Sequence, residues 1–325
     1  MHKKILQLTA IGALLASSMV GASAWADYPE RPVSVVVAFA PGGMTDIVSR
    51  LLASELGKRF HQTFVIENKP GVAGQIGTEY VARQKNDGYT LLVSATGHVI
   101  GPAVTANVRY DPIKDFSPIA ILARAPNLLV VNSALPVNNV AEFMAWAKTQ
   151  PGVSYGSAGF GGSTHLGGEL LKKISGAPME HIPYKGASPS TNAVVAGELK
   201  VAIQDSMSVA PFIKSGQLRP IAAMGAQRST LFPDLPTLAE SGVPGMDVYT
   251  WLGFYAPAGT DPKIIEKLNI AANEIMNSPE MIERLKGQNS EPGGVMSPTQ
   301  VADFVAKETG KWKEVVKVTG VKVEQ

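Results

Sequence analysis

The segment VVVAFAPGGMTDIVSRLL, Val35 to Leu52, runs from β-branched residues through Ala-Pro-Gly-Gly into apolar positions at helical spacing. A strand passed through a glycine turn into a helix is a building unit of α/β folds, and it aims the unpaired N–H groups of the helix start beyond the turn. The arrangement returns at VSYGSAGFGGSTHLGGELLKKISG, residues 153–176, where a short strand and a glycine-rich turn feed a helix beginning near Ser163 or Thr164. Two halves of the chain therefore each offer a glycine turn leading to a helix N-terminus.

Between these points, short β-branched runs alternate with helical patterns. The strand-like runs are Val33 to Phe39, Phe64 to Glu67, Thr90 to Ser94, Leu128 to Asn132, Lys200 to Gln204 and Pro220 to Met224. Such alternation predicts βαβ units and a mostly parallel sheet. Ile47, Val48, Leu51, Leu52 and Leu56 form one stripe of an amphipathic helix, and VAEFMAWAK, Val140 to Lys148, is a helix stopped by Pro151-Gly152. The tail from Pro262 to Gln325 is nearly all helix by pattern. Asp261, Ser278 and Ser297 each stand one residue before a proline, which suits an N-cap followed by the first helical position.

The N-terminus carries Lys3 and Lys4, an apolar run from Ile5 to Val20, and small residues at Ala24 and Ala26, the pattern of a secretory signal peptide over residues 1–26 cut before Asp27. A membrane anchor would need about 20 unbroken apolar residues, and Gly12, Ser17 and Ser18 interrupt this shorter run. Removing the segment takes away two lysines and no acids, leaving 27 basic against 27 acidic side chains. A neutral mature chain lacks the basic footprint of nucleic-acid or anionic-membrane binding. Cysteine is absent, which excludes disulfides, thiolate metal sites and thiol catalysis. About 300 mature residues exceed one core of typical size, so two domains are expected, and no low-complexity linker separates them.

At Pro41-Gly42-Gly43-Met44-Thr45-Asp46 the glycines admit close approach of a ligand to the helix start, where hydrogen bonding and the helix dipole both favour an anion. No lysine follows as a nucleotide P-loop requires, and no G-x-G-x-x-G fingerprint occurs here or at Gly156 to Thr164, so no nucleotide cofactor is expected. Neutral donors without a cation suit a carboxylate; a plain tight turn is the alternative. In Gly156-Ser157-Ala158-Gly159-Phe160-Gly161-Gly162-Ser163-Thr164-His165, hydroxyls interleave with glycines and can encircle an oxyanion. Ser163 and His165 invite a hydrolase reading, but two residues apart on a helix they point to different faces, and there is no G-x-S-x-G elbow. No second histidine lies at metal-ligand spacing from His165, so no metal site is expected. Asp205 closes an apolar strand, which places it either at the ligand or as cap of the next helix. Lys185 is read as a solvated or ion-paired side chain against a ligand contact, and Trp251 and Tyr255 as packing between halves against an aromatic wall.

Tyr28-Pro29, Arg31-Pro32, Phe39-Ala40-Pro41-Gly42-Gly43 with Asp46, Glu67-Asn68-Lys69-Pro70-Gly71 and Asp87-Gly88-Tyr89-Thr90-Leu91-Leu92 occur in order. Tyr110-Asp111-Pro112 with Asp115-Phe116, Ser157-Ala158-Gly159 with His165-Leu166, Pro183-Tyr184-Lys185-Gly186 and Ala256-Pro257-Ala258-Gly259-Thr260 come after them in the chain. Across the whole mature chain this series resembles the Bug (TctC-like) family, the extracytoplasmic solute receptors of tripartite tricarboxylate transporters. The resemblance implies an α/β, two-lobed, periplasmic-binding-protein-like flytrap, each lobe a mostly parallel sheet flanked by helices. Lobe 1 would be residues 27–125 plus 250–325, and lobe 2 residues 126–249. It implies a monomeric, non-catalytic periplasmic receptor that closes on a small carboxylate and docks on membrane permease subunits. Ligand contacts carried over fall at Phe39, Ala40, Gly42, Gly43, Met44, Thr45 and Thr96, and at Ser157, Ala158, Gly159, Ser163, Thr164, His165 and Asp205. Ile100-Gly101-Pro102, Gln204-Asp205-Ser206-Met207 and Phe160 depart from the family's usual residues. A secreted serine hydrolase, or a sensor presenting the closed form to a signalling partner, are the competing functions.

Overall fold

The computed structural model describes residues 28–105, 107–229 and 231–322. The signal-peptide reading of residues 1–26 lies outside the described residues. The strands and helices all belong to one unit, Arg31–Gln325.

Ten strands join in one sheet: β1 (Val33–Val37), β2 (Phe64–Asn68), β3 (Thr90–Ala95), β4 (Phe116–Asn132), β5 (Val153–Ser157), β6 (Met179–Pro183), β7 (Val201–Asp205), β8 (Leu218–Ala223), β9 (Tyr249–Pro257) and β10 (Glu291–Pro292). Their order is β2-β1-β3-β9-β4-β7-β5-β6, with β8 and β10 also pairing with β4. Parallel pairing holds where βαβ units were expected, in β2-β1-β3 and in β7-β5-β6. The strands between these groups pair antiparallel, so the sheet is mixed.

The joint between the two parallel groups is β4, a 17-residue strand. Its residues Phe116–Pro126 pair with β9, and from Asn127 onward it pairs with β7 and β8. Sequence pattern exposes only the end of this strand. The register slips between Pro118 and Ala120, an irregularity that lets a sheet absorb proline, and again between Ile121 and Ala123, whereas Pro126 pairs with Tyr249 in register. Nearly every β4 residue is buried, so no alternation marks it.

The helices are α1 (Met44–Phe60), α2 (Gln75–Ala82), α3 (Gly97–Val104), α4 (Val140–Lys148), α5 (Ser163–Ser175), α6 (Ala187–Val195), α7 (Ser206–Lys214), α8 (Pro262–Met276), α9 (Pro279–Lys286) and α10 (Pro298–Thr319). Val48, Leu52 and Leu56 of α1 are buried as its periodicity requires. In the tail the three expected caps form: the side chains of Asp261, Ser278 and Ser297 each accept a backbone N–H of the first turn, and each helix opens on proline. Each such cap contributes about 1 kcal/mol. Among the described residues no helix is long and apolar enough to cross a membrane.

Helix α10 packs on β4, α3 and α5, touching elements that flank both parallel groups. Its Glu308 Oε2 accepts the indole N–H of Trp251 at 2.8 Å and of Trp312 at 3.1 Å, both rings being buried. The packing expected of Trp251 is thus against the last helix, with the Phe304 ring at its edge. Replacing Glu308 by alanine leaves two buried indole donors unpaired. We expect Glu308→Ala to lower the unfolding free energy by about 1–3 kcal/mol, measured as a fall in the urea midpoint at unchanged denaturant dependence.

Candidate functional site

Five helices begin at one cavity of about 30 Å³. Its wall takes Gly43, Met44 and Thr45 from the start of α1, Gly97 from α3, Gly162, Ser163 and Thr164 from α5, Ala187 from α6, and Asp205 from the start of α7. Phe39, Ala40, Ala95, Ala158 and Thr250 complete it. Four of the five start without a side-chain cap; α7, capped by Asp205, is the fifth, and away from the cavity α2 is also uncapped behind Gly74. At α1, α3, α5 and α6 the N-cap residues Gly43, Thr96, Gly162 and Gly186 make no side-chain cap. Away from the cavity α4, α8, α9 and α10 are capped by Asn139, Asp261, Ser278 and Ser297. Helical geometry leaves the first N–H groups of each helix without an intrahelical acceptor, and each helix start carries roughly half a positive charge. No lysine or arginine lines the cavity. Neutral amides and hydroxyls therefore make it attractive to an anion.

The loop before α1 is held by Asp46. Its carboxylate accepts the Gly42 N–H at 3.0 Å, the Asn68 amide at 2.9 Å and the Arg50 guanidinium at 2.9–3.0 Å. Asn68 in turn donates to the Phe39 carbonyl at 3.0 Å. Gly42 has φ +85°, a left-handed conformation that glycine adopts without strain. Burial pushes the Asp46 carboxyl up, while Arg50, the Gly42 amide and Asn68 draw it down, and the net value lies below the ordinary one.

Of the fourteen residues expected at the ligand, nine line the cavity: Phe39, Ala40, Gly43, Met44, Thr45, Ala158, Ser163, Thr164 and Asp205. The other five lie behind it. Gly42 shapes the turn. Thr96 accepts the Trp251 N–H at 3.0 Å on its hydroxyl, leaving its neighbours Ala95 and Gly97 to face inward. Ser157 is fully buried, its Oγ 2.5 Å from His181 Nε2. Gly159, at φ +128°, comes so close to Ala73 and Tyr184 that a Cβ would lie 3.0 Å from backbone atoms of both. His165 stacks on His181 with ring centroids 3.8 Å apart, and its Nδ1 accepts the Gly161 N–H. Burial lowers His165 to about 4, and burial together with His165 lowers His181 to about 2, so both rings are neutral near pH 7.

Ser163 and His165 are not paired. The Ser163 hydroxyl bonds Asn127 and Thr250 instead. Ser157 and His181 do meet, below the cavity, but His181 Nδ1 has no acceptor to orient it as a catalytic base requires. Asp205 lines the cavity, and its carboxylate caps α7 by accepting the N–H and hydroxyl of Ser208, each at 2.9 Å. Burial raises its carboxyl, against the lowering effect of those Ser208 bonds. Lys185 is exposed and outside the wall. Ala95, Gly97, Gly162, Ala187 and Thr250 were not anticipated. Ala187 is the first residue of α6, one position before the Ser188-Pro189 pair, and Thr250 belongs to a strand with no visible alternation.

The family described as tripartite tricarboxylate transporter family receptor matches residues 48–321. The chain belongs to this family. Protein BugT of Bordetella pertussis is 36% identical over 321 residues, covering 98% of each chain. Among solved structures, an R. palustris protein described with adipate superposes with a TM-score of 0.88 at 36% identity, covering 91% of this chain and 99% of that one. MatC from Rhodopseudomonas palustris, described with bound malate, gives 0.84 at 31% identity over 89% of this chain and 100% of its own.

The depressed Asp46 carboxyl contributes stability that is fully present above its unfolded value, about pH 4, and is lost as pH falls through the lower folded value. Asp46→Asn is expected to cost about 1–3 kcal/mol at pH 7. The gap from the unsubstituted protein should narrow below pH 4, read by urea titration at both pH values.

Proposed function

We propose that this receptor is exported by a cleaved N-terminal signal peptide and captures a small organic carboxylate in the periplasm, for delivery to the permease of a tripartite transporter. The single observation that carries the reading is the gathering of four uncapped helix starts around one cavity without a cation. One carboxylate oxygen pair would be held by the amides of Gly43 to Thr45 on one side and of Ser163 to His165 on the other. The Ser163 and Thr164 hydroxyls add to the grip; Thr164 Oγ1 already accepts the Ala158 N–H, which leaves its proton to donate.

The lobes would be residues 27–125 with 250–325, and 126–249, swinging about β4 and β9. The cavity holds on the order of two water-sized groups, so an acid of the size named with the malate and adipate relatives is admitted, and then held, only with the two sides further apart than they stand in this structure. Closure then follows from contacts on both sides, because a ligand shifts the equilibrium only through better binding to the closed form. The receptor would act as a monomer and release its ligand chemically unchanged.

A thermal-shift panel of small mono- and dicarboxylates, aromatic acids and amino acids tests this. At least one acid should raise the melting temperature, since ligand at 100-fold its Kd adds about 2.7 kcal/mol, and NMR should recover it unaltered. A Cβ at Gly43 would lie 3.7 Å from Ala187 Cβ and 3.9 Å from Ser208 Oγ, so a methyl fits and the branches of valine do not. Gly43→Val should weaken binding by about tenfold or more, a loss of about 1.4 kcal/mol, and Lys185→Ala by less than about twofold. Loss of binding in Lys185→Ala with a silent Gly43→Val would replace the neutral grip with a lysine clamp; turnover of the acid would replace the receptor with an enzyme.

A further inference from the structure

Asn127, Ser163 and Thr250 close a ring of hydrogen bonds at the cavity wall. Asn127 Nδ2 donates to Ser163 Oγ at 3.2 Å, Thr250 Oγ1 donates to Asn127 Oδ1 at 2.7 Å, and the two hydroxyl oxygens lie 2.9 Å apart. All three residues are at least nine-tenths buried, and Asn127 is fully so. Asn127 does not reach the cavity, whereas Ser163 and Thr250 do. Its backbone is committed to the sheet, its N–H donating to Val248 and its carbonyl accepting from Met224. It is also the residue at which β4 leaves β9 and joins β7, Pro126 pairing with Tyr249 and Asn127 with Asp205.

The protons of this ring can be counted. The Thr250 proton goes to Asn127 Oδ1, and one Asn127 amide proton goes to Ser163 Oγ. Of the two hydroxyl protons, that of Ser163 is the one left uncommitted; it points to Thr250 Oγ1 or into the cavity. An anionic acceptor in the cavity is the stronger of the two, because a bond to a charged acceptor is roughly twice as strong as a neutral one.

We propose that Asn127 is a positioning residue that fixes the polarity of this ring, so that Ser163 always meets the ligand as a donor and the wall selects an ionised acid over its neutral amide. Thr250 acts through the same ring, keeping the Asn127 side chain from rotating. The inference rests on the carboxylate reading of the cavity and adds to it the group that sets the hydroxyl's sense.

Two measurements test it, using the acid that gives the largest thermal shift in the panel as probe. In Asn127→Asp the introduced carboxyl, while protonated, can imitate the amide, donating to Ser163 and accepting from Thr250. Once ionised it accepts from both hydroxyls and places a negative charge behind the wall. Burial holds such a carboxyl protonated well above its ordinary range. By calorimetric titration between pH 5.5 and 8.5, the variant's Kd should rise at least about tenfold more than that of the unsubstituted protein, one decade being about 1.4 kcal/mol. His165 and His181 are common to both proteins, and Asp205, which pairs with residue 127 across β4 and β7, would raise the introduced carboxyl further and titrate with it as a pair. A variant whose affinity relative to the unsubstituted protein is flat with pH, at any level, overturns the proposal.

The second measurement does not need that variant to fold. Ser163→Ala, Thr250→Val and the double variant form a cycle, and if Thr250 acts only through Ser163 the double variant binds no more weakly than Ser163→Ala. Additive losses overturn the proposal. If no acid stabilises the unsubstituted protein, the carboxylate reading fails and takes this inference with it; if an acid binds but the cycle is additive and the profile flat, the inference fails alone.

Discussion

Everything in this molecule turns on helix N-termini that are left without caps inside the protein. A buried amide with no acceptor costs about 1–3 kcal/mol, and at the cavity α1, α3, α5 and α6 all begin without a side-chain cap, the Thr96 hydroxyl being turned to Trp251. Elsewhere the chain caps α4, α8, α9 and α10, with Asn139, Asp261, Ser278 and Ser297, and leaves α2 uncapped behind Gly74. The gathering of four uncapped helix starts at one place makes the cavity a region of positive potential built from backbone. A negatively charged group of carboxylate size is the complement to that arrangement.

Two polar networks hold the donors in place from behind. Asp46, Asn68 and Arg50 brace the loop from Phe39 to Gly43, and Asn127 with Thr250 braces Ser163. A third contact runs across the cavity: the Met44 N–H at the start of α1 donates to Ser208 Oγ on α7 at 3.2 Å, and that hydroxyl is itself bonded to Asp205. Asp46 and Arg50 stand outside the cavity wall. Asp205 is the exception, and its carboxylate is occupied by Ser208.

Local patterns carried much of this in the sequence. VAEFMAWAK marks α4 with its observed bounds, the Asp-Pro and Ser-Pro pairs mark three helix starts, and the two glycine turns mark the helix starts that oppose each other. Long-range facts were not legible. β9 and most of β4 are buried on both faces and carry prolines, so neither alternates, and Thr250 went unnoticed with them. The family resemblance places His165 at the ligand, but its ring turns back to stack on His181 of β6, which no spacing reveals. Gly42 and Gly159 owe their place to positive φ and close backbone approach, so the turn needs them although the cavity wall does not.

A crystal structure of the protein with its acid bound measures the central claim directly. The account predicts a carboxylate within hydrogen-bond distance of the amides of Gly43 to Thr45 and of Ser163 to His165 together, with no lysine or arginine in contact. An acid seated in another groove, or held by a cationic side chain with either helix start turned away, would contradict it.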